Sequence, residues 1–150
     1  MINRIMKNTL EEIGARLRTQ DNRCTASPMF IVQQQRFHTC DPAEADEVAW
    51  FDNEGNQQDD ETCARLDKLD DELSFSALKN PELEEYTKRG IIHYWEFCMA
   101  AFTEEGCKEY LRLNGHNLHE PRIYADSWHR CPEMLTIREY LMQLPPPIPL

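Results

Sequence analysis

Residues Gly90 to Asp126, GIIHYWEFCMAAFTEEGCKEYLRLNGHNLHEPRIYAD, decide the fold, because residue chemistry marks a strand, a helix and a second strand in turn. Gly90 is read as the end of whatever precedes it. His93, Trp95, Phe97 and Met99 alternate with Tyr94, Glu96 and Cys98, which is the two-residue period of a strand. Thr103 offers a hydroxyl to the free N–H groups of a new helix, and Glu104 and Glu105 suit its first turn electrostatically. Cys107, Tyr110, Leu111 and Asn114 then share one helical face, with Leu113 beside it. Asn114-Gly115 predicts a stop with glycine in a left-handed conformation. Pro121 requires an extended lead-in, and Arg122 to Asp126 follows as a second strand. The helix is expected to pack against the sheet that the two strands join.

Upstream, Thr9-Leu10-Glu11-Glu12 fits a capping box, in which the Thr hydroxyl and the Glu carboxylate satisfy each other's backbone N–H groups. Leu10, Ile13 and Leu17 give a helical stripe to about Gln20, extended backwards by Ile2 and Met6. Ser27-Pro28 forces an extended start for a strand over Met29–Phe37. Its glutamines, Gln33 to Gln35, read as an exposed strand end, with a polar contact row as the alternative. Val48 to Phe51 is a further strand and Asp52 to Asn56 a turn. These two strands are expected to pair antiparallel. Residues 57–78 read as an acidic helix with an apolar stripe of Cys63, Leu66, Leu69 and Leu73. Asn80-Pro81 predicts a short helix to Lys88. Downstream, residues 132–143 form a last helix, closed by Pro145-Pro146-Pro147. The expectation is an α+β single domain over residues 1–144. It has an antiparallel or mixed sheet of about four strands, with helices mainly on one face. Residues 145–150 form a Pro-rich tail, in polyproline II conformation.

A chain of 150 residues with 41% apolar content supports one core. No apolar run approaches the roughly 20 residues that span a bilayer. MINRIMKNTLEEIG has no apolar h-region, so the chain is expected to stay where it is made. The six cysteines include no CxxC and are expected to be reduced thiols. A net charge of −11 argues against binding nucleic acid through a basic surface. The charge is also unevenly placed. Residues 41–85 hold 16 acidic and 3 basic residues, a net of −13, while the rest of the chain carries +2.

Chemistry-bearing patterns are sparse. Cys98, Cys107, His116 and His119 are zinc-compatible ligand types, but C-x8-C-x8-H-x2-H matches no common zinc spacing. His129 and Cys131 are a base and a nucleophile without an orienting third group in view. Walker A, GxGxxG, GxSxG and HExxH motifs are missing from the sequence. The sequence therefore predicts no catalytic residue, no metal and no cofactor. Trp50, Trp95 and Trp128 read as packing residues rather than a base-stacking platform.

Three segments carry a resemblance: residues 20–35 (QDNRCTASPMFIVQQQ), Trp95-Glu96-Phe97 with Phe102-Thr103-Glu104, and Asn114 to Leu118 with Pro121 to Tyr124. Together they resemble a family of small uncharacterised proteins of tailed bacteriophages and prophages. The acidic stretch after Asp52 departs from any fixed pattern of that family. The resemblance implies an accessory protein of the host cytoplasm and transfers no catalytic residue. With the acidic block it suggests a protein that inhibits a host defence complex of CRISPR or restriction type. Asp59, Asp60, Glu61, Asp67, Asp70, Asp71 and Glu72 would face a basic protein partner. The competing readings are a solvated, solubilising helix face, a phage module acting as a homo-oligomer, and a small metal-dependent enzyme. No membrane is expected as a partner.

Overall fold

The structure, a computed structural model, describes residues 9–23 and 25–147. The expected extension through Ile2 and Met6, Cys24 and the end of the tail lie outside the described residues. The elements run α1 (Leu10–Thr19), β1 (Pro28–Cys40), β2 (Glu47–Asp52), α2 (Asp60–Ser74), β3 (Tyr86–Ala101), α3 (Glu104–Asn114), β4 (Arg122–Ser127) and α4 (Pro132–Gln143). Short 3₁₀ turns sit at Pro42–Glu44, Leu83–Glu85 and Gly115–Asn117. The four strands form one antiparallel sheet in the order β2-β3-β1-β4, so the protein is α+β. The described residues fold as two compact units, one of residues up to 35 with those from 95 onward, and the other Arg36–Tyr94. Strands β1 and β3 contribute residues to both.

In the unit Arg36–Tyr94, three expectations are corrected at Gly90. β1 and β2 do not pair with each other, because β3 lies between them. No helix runs to Lys88, and the strand begins at Tyr86, with Gly90 inside it and buried. The reason is steric. A Cβ on Gly90 would lie 2.7 Å from the Ala45 Cβ, 2.7 Å from the Asp41 carbonyl oxygen and 2.9 Å from the Cys40 Sγ. The chain linking β1 to β2 therefore crosses β3 at the one strand position without a side chain. β2 then pairs with β3, Glu47 opposite Ile91 through Asp52 opposite Tyr86.

β2 is an edge strand, and its outer hydrogen-bonding groups at Trp50 are covered. The Trp50 carbonyl accepts from the Gln58 N–H at 2.9 Å, and the Trp50 N–H donates to the Cys63 Sγ at 3.5 Å. Gln57 makes an isolated bridge to Phe51. The segment leading into α2 thus caps an edge that would otherwise invite pairing with another chain. Ala49, Phe51 and Ile91 form the unit's apolar cluster, with Cys63 of α2 packed on it. α2 is shorter than residues 57–78. Asp59 caps its start and Phe75 its end.

In the other unit, β1 pairs with β4, Pro28 opposite Ser127 through Gln33 opposite Arg122. Phe30 and Val32 meet Cys107 of α3 in a core joined by Tyr110, Leu111, Ile123 and Ala125, so α3 packs as its stripe predicts. Thr103 caps α3, its hydroxyl accepting from the Gly106 N–H at 3.1 Å. Gly115 is a correction: its φ is −57°, right-handed, because the chain tightens into a 3₁₀ turn instead of reversing through a left-handed residue. α1 carries the capping box at Thr9 and Glu12. It packs on α4 so closely that the Gly14 Cα side meets the Leu141 carbonyl, while Leu17 and Leu141 are buried. Arg18 donates from Nη1 to the carbonyls of Met142 and Leu144 at 2.9 and 3.0 Å, which satisfies the last turn of α4.

Candidate functional site

The expected acidic surface resolves into residues with different duties. Asp59 is a cap. Its carboxylate accepts from the Thr62 N–H at 2.7 Å, and that bond holds it below the usual carboxylate range. Asp67 is half-exposed and structural. It accepts from the Lys88 ammonium at 2.7 Å and from the Trp50 indole N–H at 3.1 Å. The Lys88 bond depresses the Asp67 pKa against the opposing effect of burial, and the same bond raises that of Lys88. Lys88 also lies 5.6 Å from the Trp50 ring centroid, a cation–π contact. Asp70 and Asp71 add to the field that holds the Lys88 charge.

Asp60, Glu61, Asp71 and Glu72 remain. All four are exposed, and they make no ion pair among the described residues. Asp60 and Asp71 are three helical turns apart on one line, about 16 Å, and Glu61 and Glu72 repeat that spacing on the neighbouring line. Leu66, fully buried, points the opposite side of α2 inward. Beyond Ser74 the chain stays in solvent. Phe75 is 96% exposed and Leu78 is 75% exposed.

The glutamine run is not simply an exposed strand end. Gln34 is buried, its Nε2 donating to the Glu96 carboxylate at 2.5 Å and its Oε1 accepting from the His119 N–H at 3.2 Å. The Gln35 N–H donates to the His119 carbonyl at 3.0 Å. The side chain and backbone of β1 thereby hold the loop that leads to β4. The sequence left this polar row as an alternative, and nothing local separates an inward from an outward glutamine.

A second surface was read in the sequence as packing. Arg122 and Tyr124 of β4 alternate with Ile123, so they occupy the face opposite α3. The Arg122 guanidinium lies 3.7 Å from the Trp95 ring centroid and 5.5 Å from that of Tyr124, and its Nε donates to the Gln33 Oε1 at 2.9 Å. Phe97 shares the Trp95 face of β3. Trp95, Tyr124 and Phe97 are 38%, 47% and 61% exposed. Arg122 makes no ion pair among the described residues. Three open aromatic groups and a guanidinium therefore stand together in water.

The histidine and cysteine ligand types are not assembled. Cys98 and Cys107 belong to the apolar cluster under α3, and His116 is exposed in the 3₁₀ turn. Burial pushes the Cys107 thiol up to about 11, which makes it unreactive. Among the described residues, no group of three or more His, Cys, Asp and Glu side chains is placed to hold a metal ion. Cys40, Cys63, Cys107 and Cys131 are free thiols. His129 Nδ1 meets the Ser127 hydroxyl at 2.8 Å, and the Thr25 hydroxyl donates to Ser127 at 2.9 Å. Thr25 precedes β1, Ser127 is the last residue of β4 and His129 lies in the turn that follows it. Among the described residues, no helix is long and apolar enough to cross a membrane.

Fold and surface thus define an α+β protein whose conspicuous features are an acidic helix face and an aromatic sheet face. No protein-family model, no curated protein and no solved structure matches the chain.

Proposed function

We propose that the protein is a non-enzymatic, phage-type accessory protein of the host cytoplasm that blocks a host defence or nucleic-acid-processing complex. Its working surface is the exposed acidic face of α2, which occupies a basic groove on the partner. The observation that carries this reading is the set Asp60, Glu61, Asp71 and Glu72, four exposed carboxylates on a rigid helix with no ion pair among the described residues. A fixed array of like charges raises encounter rates with an oppositely charged groove, and that gain falls as salt screens it. Asp59 and Asp67 belong to the fold and leave the recognition set, while Asp70 flanks it.

The test is capture of host nucleic-acid-binding proteins on the immobilised protein at low and high salt, with a phage-restriction assay alongside. The comparison variant carries Asp60→Asn, Glu61→Gln, Asp71→Asn and Glu72→Gln. The expected result is salt-sensitive capture of a defence complex and relief of restriction, both lost in the variant. A folded variant that still captures the complex and relieves restriction would reduce the acidic face to a solvated surface. The homo-oligomeric module is favoured by the second surface, whose occupant is taken up below.

A further inference from the structure

We infer that the aromatic sheet face receives the Phe75–Leu78 segment of a second copy of this chain, so that copies associate head to tail. The face offers Trp95, Phe97 and Tyr124 with a guanidinium that lacks an ion-pair partner among the described residues. Its complement is a segment that is apolar and anionic. The chain carries such a segment at the end of α2. Phe75 and Leu78 stand in solvent, and the last turn before them holds the exposed carboxylates of Asp71 and Glu72. The segment is also held in shape. The Ser76 N–H donates to the Leu73 carbonyl at 3.0 Å, and the Leu78 N–H donates to the Ser76 hydroxyl at 3.1 Å. A knob already ordered loses little entropy on docking.

Charge selects the head-to-tail arrangement over a symmetric one. Pairing two sheet faces would set Arg122 against Arg122, and pairing two acidic ends would bring together parts of blocks that carry −13 each. Setting the acidic, aromatic-tipped end against the aromatic, cationic face matches both signs and both apolar surfaces. Single-stranded nucleic acid also stacks on sheet aromatics, but it needs a basic track, and a chain of net −11 repels phosphates. The inference goes beyond the proposed function. The two share Asp71 and Glu72, but Phe75 and Leu78 have no part in the proposed function, and Asp60 and Glu61 lie at the other end of α2, roughly 20 Å away.

The experiment is sedimentation analysis of the purified full chain over a concentration series at low and high salt. The expected wild-type result is a mass that rises with concentration and falls with salt. Arg122→Glu and the double variant Phe75→Ala/Leu78→Ala each weaken association by about tenfold or more, as loss of an aromatic or Arg anchor does. All substituted side chains are exposed, and far-ultraviolet circular dichroism checks that both variants fold. The decisive arm mixes the two variants. Each retains the half that the other lacks, so the mixture forms a one-to-one pair of twice the monomer mass and no larger species. A wild type that stays monomeric overturns the inference, as does an assembly that either variant retains in full. A mixture that fails to pair also overturns it. An oligothymidylate probe is titrated in parallel. If it binds a monomeric protein and Arg122→Glu abolishes that binding, the sheet face passes to single-stranded nucleic acid and the inference fails.

Discussion

Gly90→Ala should destabilise the protein through the crossing of the β1–β2 link over β3. The added methyl would sit 2.7 Å from the Ala45 Cβ and 2.7 Å from the Asp41 carbonyl oxygen. Carbon atoms in contact prefer about 3.5–4.0 Å, so the link must move by roughly 1 Å. One of the obstructing atoms is backbone, so no rotamer change relieves the clash. Overpacking of this kind costs about 1–3 kcal/mol. Replacing glycine also stiffens the unfolded chain, which offsets about 0.4–1 kcal/mol. The expected net loss is about 1–2 kcal/mol, or roughly 2–8 °C in Tm for a chain of this size. Gly115→Ala is the matched control. Its Cβ would meet nothing within 4 Å and its φ is −57°, so only the unfolded-state gain applies and the variant should melt at or slightly above wild type. Thermal and urea melts of the three proteins decide the matter. Should Gly90→Ala match wild type, the crossing is not tight at Gly90 and the account of the strand order is wrong.

Asp67→Asn should lose under about 1 kcal/mol near neutral pH, since the Lys88 pair is half-exposed. The difference from wild type should shrink as pH falls from about 4 through the depressed Asp67 value, because protonated Asp67 no longer holds the charge. It should also shrink as pH rises past the ordinary lysine value near about 10.4 and through the raised Lys88 value. Melts across pH that show a constant difference would refute the linkage. Thr103→Ala should cost about 1 kcal/mol by freeing the Gly106 N–H, and Thr103→Ser should retain most of it, as chemical denaturation will report. Cys107 should resist iodoacetamide in the folded protein and alkylate only on denaturation, as peptide mass mapping will show, because its thiol sits at about 11 in an apolar cluster.

What the sequence determined alone is what adjacent residues decide among themselves. The Thr9 capping box, the Thr103 cap, the Cys107–Leu111 stripe and the Pro132 start of α4 rest on interactions spanning one or two helical turns. The α+β class follows from them, from the apolar, Pro-led entry of β1 and from the two-residue period of β3. Tertiary structure alone decided which strands are neighbours, because that period gives a strand its faces and not its partner. Hence β3 stands between β1 and β2, and Gly90, locally a stop signal, became the point where the chain crosses a strand. The same divide runs through the surfaces. Seven acidic residues were legible as a block, yet Lys88, far along the chain, takes Asp67 into the fold. Arg122 reached Trp95 only because β1 holds β4 near β3, a juxtaposition of distant residues that no local pattern encodes.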